Sequence, residues 1–198
     1  MQKSVVHEPK GAGLSPGEDA VSGEKIYDNV FWTTMVHFLP HVVPMINEAF
    51  GQNFGKEARV RLKSTKQVVL LPDNLLRMKE VDALVEVYDP GASDTERDYH
   101  FECQTWWDGS VVIQVAQYAV GAAYNSIRPT EKGAEMVIPH TSVILLRGRK
   151  NLRKAIMITV KYPGGSIEYE VPILQIRDYD LYEIFEKRLF LLLPFYFF

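Results

Sequence analysis

The stretch VDALVEVYDPGASDTERDYHFECQ, at residues 81–104, decides the fold class. Its first eight residues place Val or Ala at every second position, and Tyr99, Phe101 and Cys103 repeat that spacing near its end. A period of two is the pattern of a β-strand with one buried face. The segment DPGASDTER at 89–97 is rich in turn-forming residues. The sequence therefore predicts an antiparallel hairpin.

Further elements surround this hairpin. Apolar spacing, capping residues and turn residues predict helices at 28–38, 42–50, 110–127 and 181–194, a buried strand at 142–146, and a hairpin with strands at 155–162 and 167–171. This order of elements predicts an α/β domain in which helices flank a central mixed sheet. Residues 1–24 carry few large apolar side chains and are expected to form a disordered tail, so the predicted domain covers 25–198.

The composition is that of a globular protein, with 46% hydrophobic and 24% charged residues in 198 positions. That length suits one domain with a sizeable core. A net charge of -3 means that any binding of nucleic acid depends on a local basic patch. The single cysteine excludes an internal disulfide framework and fits a cytoplasmic location. No apolar run approaches the length of a membrane span, so no membrane partner is expected.

Two acids and an amide occupy related positions of the hairpin. Glu102 and Gln104 are two residues apart, so a strand directs both side chains to one face. A turn centred near Ser93 places Asp82 opposite Gln104 and one step from Glu102, where cross-strand neighbours are about 5 Å apart. Carboxylates at this spacing suit magnesium, which prefers oxygen ligands and activates bound water. A salt-bridged or solvated pair of acids has the same spacing, and that interpretation stays open.

The long helix carries a polar stripe. Gln114, Gln117 and Tyr118 lie at positions i, i+3 and i+4 of an otherwise apolar segment. Buried amides and phenols need hydrogen-bond partners, and a polar site beside the helix would provide them. The alternative is a stripe that faces solvent, and the spacing favours neither.

Two stretches resemble the PD-(D/E)xK nuclease family transposases of bacteria: KEVDALVEV at 79–87 and HFECQTWWDGSVVIQVAQY at 100–118. That family is related to recombination-promoting nucleases. The resemblance also takes in YDNVF at 27–31, HTSVILLRG at 140–148, YEVPILQI at 169–176 and EKRLFLLLPF at 186–195. It therefore covers most of the chain from Ile26 onward. It implies a restriction-endonuclease-like fold, DNA as substrate, and magnesium as cofactor with manganese as a substitute.

The family's acid-then-E-x-Q pattern falls on Asp82, Glu102 and Gln104, which the resemblance makes the catalytic residues of a DNA endonuclease. Asp82 and Glu102 would bind the metal, with the backbone carbonyl of Cys103 as a third ligand. The Cys103 side chain alternates away from Glu102 and is predicted to lie in the core. Asp28 would add a carboxylate from the first helix, and its alternative role is the N-cap of that helix.

The chain also departs from the family. The usual lysine of the superfamily is Gln104 here, although glutamine at this place is familiar in this branch. An arginine and an acid are frequent where this chain has Gln114 and Gln117, which are otherwise expected to support the site with Tyr118. A glutamine can orient water but brings no positive charge. These departures favour an alternative function, a weak or inactive nuclease remnant that binds DNA or a protein. A third interpretation is an unrelated interaction protein on an α/β scaffold.

RGRKNLRK at 147–154 has five basic residues in eight. The predicted DNA-binding residues are Arg147, Arg149, Lys150, Arg153 and Lys154. KEARVRLK at 56–63 could add phosphate contacts, although a charged loop can equally be a solvated one. Trp106 and Trp107, directly after the E-x-Q strand, either stack on bases or pack at an edge of the core.

The chain ends in LLLPFYFF at 191–198. Ends of complete domains are usually polar and loosely held. We therefore expect a domain truncated at its C-terminus, with an apolar patch there that is exposed or covered by self-association into a homo-oligomer.

Overall fold

The computed structural model describes residues 23–63, 66–70, 76–80, 83–91, 96–148 and 153–197. The helices in this part of the chain are α1 (Gly23–His37), α2 (Val42–Phe50), α3 (Ser110–Asn125), α4 (Leu181–Glu186) and α5 (Leu193–Tyr196). The strands are β1 (Arg59–Leu62), β2 (Lys66–Leu70), β3 (Leu76–Glu80), β4 (Ala83–Tyr88), β5 (Glu96–Gln104), β6 (Arg128–Thr130), β7 (Gly133–Glu135), β8 (His140–Leu145), β9 (Ala155–Tyr162) and β10 (Gly165–Gln175). Short 3-10 turns occupy Leu39–His41, Ile176–Asp178 and Phe190–Leu192.

A six-stranded mixed sheet forms the centre of the described chain, in the order β1-β4-β5-β8-β10-β9. β5 pairs antiparallel with β4 on one side and parallel with β8 on the other. The parallel pairing requires a crossover, which α3 provides between the two strands. The hairpins β2-β3 and β6-β7 are separate from this sheet. The predicted α/β class with a central mixed sheet flanked by helices is therefore confirmed.

The two faces of the sheet bury different helices. On one face the side chains of Tyr99, Phe101 and Cys103 belong to a core cluster that also contains residues of α1, α2 and the C-terminal segment. On the other face Val111 and Val115 of α3 pack with residues of β8, β9 and β10. The alternation of β5 thus puts its apolar set, including the predicted core residue Cys103, under α1 and α2. Its polar set lies on the side of α3.

Several local predictions are confirmed. Helix α2 covers Val42–Phe50 and ends at Gly51, whose φ of 60° is the left-handed conformation that glycine adopts at low cost. β9 and β10 pair as the predicted hairpin around residues 163–165. Asp180 caps α4 through the backbone N–H of Glu183, and the Glu183 carboxylate accepts from the Asp180 N–H in return.

Two predicted helix boundaries are wrong. Helix α1 begins at Gly23, so Asp28 lies within the helix and is not its N-cap. The C-terminal helix does not run from residue 181 to 194, because Arg188 adopts a left-handed φ of 57° directly after α4. The Leu189 N–H then bonds to the Ile184 carbonyl, which closes the helix in the manner that glycine usually permits.

The C-terminal segment is partly incorporated into the core. Phe195 is buried, and its ring lies 6.5 Å from that of Tyr27 and 6.2 Å from that of Phe31. Phe197 is exposed, which agrees in part with the expected apolar patch. Of the predicted tail at 1–24, residues 1–22 lie outside the described residues, and Gly23 and Glu24 belong to α1. None of the helices within the described ranges has the length and apolar character needed to cross a bilayer.

Candidate active site on the central strand

Three polar residues of β5 share the face that α3 covers. His100, Glu102 and Gln104 follow each other at every second position, and the register aligns Glu102 with the buried Val143 of β8. Only 4% of Glu102 and 1% of His100 are exposed, and Gln104 is half-buried. The sequence therefore correctly places Glu102 and Gln104 on one face. A carboxyl group buried to this extent needs polar neighbours, because burial of an unpaired charge is costly.

Gln104 connects the Glu102 carboxyl group to α3. Its amide nitrogen donates to Oε1 of Glu102 over 3.1 Å and to Oε1 of Gln114 over 3.3 Å. These contacts fix the orientation of the amide, with its nitrogen directed towards the carboxylate. The Gln104 Oε1 atom accepts no hydrogen bond from any described residue, and it is the acceptor that remains for a further ligand.

His100 and Tyr118 form the next layer beside Glu102. The Nε2 atom of His100 lies 3.7 Å from Oε2 of Glu102, and the rings of His100 and Tyr118 meet edge to face with centroids 5.7 Å apart. Burial lowers the pKa of His100 to about 3. The imidazole is therefore neutral near pH 7, and its contact with Glu102 is not an ion pair. His100 is not among the predicted site residues, although it lies two residues before Glu102 on the same face.

The polar stripe of α3 faces this strand. Gln114 bonds to Gln104, and the buried Tyr118 contacts His100. Gln117 is half-buried one turn from Gln114, and its amide makes no hydrogen bond to another described residue. Gln114 and Tyr118 are thus directed towards the sheet, as the interpretation with a polar site requires, whereas no contact within the described ranges places Gln117 there.

Asp82 lies outside the described residues, as does the Asp28 side chain, so the separation of the Asp82 and Glu102 carboxyl groups stays a prediction. The register of the hairpin is nevertheless described up to Ala83, which pairs with Phe101. A turn centred near Ser93 would have paired Ala83 with Cys103, so that predicted register is wrong by two residues. The reason is that β5 begins within the segment assigned to the turn, at 89–97, where Glu96 pairs with Tyr88.

Within the described ranges, no cluster of three or more His, Cys, Asp or Glu residues could hold a metal ion. Asp82, the second predicted carboxylate ligand, lies outside those ranges. Cys103 contributes a buried side chain to the opposite face, and the predicted metal ligand is its backbone carbonyl. The polar atoms described beside the Glu102 carboxylate are the nitrogens of the Gln104 amide and the His100 imidazole. A hard cation such as magnesium prefers oxygen ligands, so it would need the second predicted carboxylate in addition to Glu102.

One large surface cavity, of about 710 Å³, lies apart from the E-x-Q strand. It is bordered by Asn47, Glu48 and Lys187, and none of its lining residues belongs to that strand. Glu48 accepts hydrogen bonds from both Tyr179 and Lys187.

The predicted DNA-binding residues lie at the end of β5 and β8 next to Gln104, as far as they are described. Arg147 donates to the Tyr27 hydroxyl over 2.8 Å, and its guanidinium lies 5.9 Å from the Trp106 ring centre. Arg153 lies 5.0 Å from the Trp107 ring centre. Arg149 and Lys150 are outside the described residues.

Other cations of the predicted basic segments have acidic neighbours. Lys154 lies 2.6 Å from an Asp178 oxygen, although its side chain stays largely exposed. In the segment at 56–63, Arg61 forms an ion pair with Glu86, and Lys63 lies 2.8 Å from Asp98. Arg61 and Lys63 therefore pair with acids of β4 and β5, and a phosphate contact of this segment stays a prediction.

Comparison of the sequence with models of known protein families gives no match, and comparison with curated proteins gives none either. The resemblance to the nuclease family therefore depends on the motif residues alone.

Proposed function

We propose that this protein is a magnesium-dependent DNA endonuclease of the transposase-associated PD-(D/E)xK type, with a restriction-endonuclease-like fold. Its reactive centre comprises Asp82, Glu102 and Gln104. The observation that carries the proposal is the buried Glu102 carboxyl group, which Gln104 contacts from the same strand while Gln114 contacts Gln104 from α3. A buried acid oriented by amide groups is an arrangement typical of a metal ligand with its supporting residues.

In this proposal Asp82, Glu102 and the Cys103 carbonyl bind the metal. A magnesium ion bound there would polarise the phosphate and acidify a water molecule. Gln104 orients that water through Oε1, because its nitrogen already donates to Glu102 and Gln114. Neutral His100 and buried Tyr118 exclude bulk water from one side of Glu102.

The second candidate function is a nuclease remnant that binds DNA or a protein without cleaving it. The observation that favours it is the absence of a charge on the Gln104 side chain, where a lysine would stabilise the developing negative charge of the phosphate. The two candidates share the proposed fold and differ in turnover.

Nicking of supercoiled plasmid DNA, with magnesium, with manganese and with EDTA, separates these functions. The proposal predicts nicking by the wild-type protein with either metal and none with EDTA. Glu102→Gln should abolish it, because this nearly isosteric change removes the charge that binds the metal. Glu86→Gln serves as the control, since Glu86 is a second acid on this face of the sheet that pairs with Arg61.

Each outcome is decisive when both variants melt like the wild type. Equal nicking by the wild type and Glu102→Gln would identify the activity as a contaminant and refute the proposal. Calorimetric binding of magnesium that Glu102→Gln removes, without any nicking, would favour the binding module.

A further inference from the structure

The end of the E-x-Q strand carries two tryptophans at the surface. Trp106 follows Gln104 by two residues and is 53% exposed. Trp107 is half-buried and packs against the core cluster that contains Val111 and Val115 of α3. The Arg147 N–H bonds to the Thr105 carbonyl, so the start of the basic loop is fixed against this strand end. An exposed indole offers a flat apolar face to a ligand.

An arginine accompanies each of these tryptophans. The Arg147 guanidinium lies 5.9 Å from the Trp106 ring centre and 5.3 Å from that of Tyr27. Arg153 lies 5.0 Å from the Trp107 ring centre. Planar guanidinium groups beside aromatic rings can stack on bases and also bind phosphates.

The charge of this surface suits a polyanion. Arg153 is exposed, and none of the described carboxylates lies within ion-pairing distance of it. Its contact with Trp107 leaves the N–H groups at the guanidinium rim able to reach a phosphate. Exposed aromatic rings interleaved with cations are typical of surfaces that bind single-stranded nucleic acid.

We propose that Trp106 with Arg147, on the α1 side of the end of β5, and Trp107 with Arg153, on the α3 side, form a platform that spans this strand end. It binds unpaired nucleotides of a DNA strand, with bases on the indoles and a phosphate on the exposed Arg153. The bases of an intact duplex present only their edges, so a stacking platform selects DNA with a single-stranded segment. This inference rests on the proposed function for the choice of DNA as the ligand. It adds the substrate class, which is DNA with unpaired nucleotides next to the cleaved bond.

Fluorescence anisotropy of labelled oligonucleotides in EDTA tests the platform without any cleavage. We expect the wild-type protein to bind oligo(dT) more tightly than a duplex of equal length. Trp106→Leu should weaken binding to oligo(dT) by about fivefold to a hundredfold, which is the range for loss of one stacked base. Trp106→Phe should retain most of the affinity, because it keeps an aromatic face. Trp32→Leu is the matched control, since Trp32 is 46% exposed on α1.

Arg153 gives a second test that does not depend on the folding of the Trp106 variants. The slope of log affinity against log salt should fall by about 0.7 in Arg153→Gln, because one phosphate contact with a single strand is lost. Arg177→Gln, a change of an exposed arginine outside the platform, should leave the slope unchanged.

The platform is refuted if wild-type protein binds duplex as tightly as oligo(dT), or binds neither. It is also refuted if Trp106→Leu and Trp32→Leu lose the same affinity. Failure of the nuclease proposal has a different signature. In that case the wild-type protein still binds oligo(dT) and Trp106→Leu still binds it more weakly. No preparation, however, nicks plasmid DNA with metal.

Discussion

Replacement of His100 by glutamine is expected to make the protein less sensitive to mild acid. In the folded state burial lowers the pKa of His100 from 6.5 to about 3, and only 1% of the residue is exposed. The unfolded chain therefore binds a proton at this position between those two pKa values, whereas the folded protein does not. Stability associated with the neutral imidazole is fully present above pH 6.5 and is lost progressively as the pH falls towards 3.

The size of the effect follows from the same two pKa values. Between about pH 7.5 and about pH 4.5 the linkage relation gives a loss of about 2 to 3 kcal/mol in the free energy of unfolding from this one group. That is a large fraction of the 5–15 kcal/mol, roughly, that stabilises a typical domain. In His100→Gln this contribution is absent, because glutamine does not titrate.

Urea denaturation at these two pH values measures the effect, with circular dichroism as the probe and equal ionic strength in both buffers. The wild-type protein should lose about 2 to 3 kcal/mol more than His100→Gln on going to the lower pH. His37→Gln removes an exposed histidine of α1 and should behave like the wild type. Equal losses in wild type and His100→Gln would mean that His100 is not buried as a neutral group, which would contradict the geometry of the site.

Three further outcomes are expected. Arg188→Gly should raise the free energy of unfolding, measured by urea denaturation, by about 1 kcal/mol, because glycine adopts the left-handed φ of 57° without the steric cost of a side chain. Glu186→Gly within α4 should lower that free energy by about as much. Asp180→Ala should lower the melting temperature through a loss of about 1 kcal/mol, since the cap of α4 is removed, and an unchanged melting temperature would contradict this role. Gln104→Lys should nick plasmid DNA at least as fast as the wild type, while Gln104→Leu should lose about a hundredfold or more of the initial rate; a strong loss in Gln104→Lys would show that the amide itself is required.

Local patterns account for the parts of the fold that the sequence predicts well. The period of two in β4 and β5, the glycine at the end of α2 and the capping box of α4 each specify a structure within a few residues. The same period correctly places Glu102 and Gln104 on one face. The spacing on α3 left two orientations open, and the contacts of Gln114 and Tyr118 with β5 decide for the sheet.

Features that depend on distant partners are predicted less well. β1 is missing from the predicted elements because its alternating cations resemble a phosphate-binding segment, and only the pairing of Arg61 with Glu86 explains them. The left-handed turn at Arg188 carries neither glycine nor proline, so no local signal marks the end of α4. The sequence pattern does not predict His100 as a site residue, because its neutral, buried state depends on the packing of α3 against β5.

The parallel pairing of β5 with β8 has a consequence for the newly made chain. Glu102 and Val143 occupy aligned positions of that pair although 41 residues separate them in the sequence, and α3 lies between the two strands. A ribosome that has released only the hairpin of β4 and β5 has therefore released every acid of the candidate centre, but not the strand that flanks it on the other side. The long connection between β5 and β8 loses chain entropy before the contacts between the two strands compensate for it, so this pairing forms slowly. During synthesis the chain consequently passes through a period in which the acids are present and solvated, and the arrangement proposed for hydrolysis becomes complete only when β8 joins the sheet.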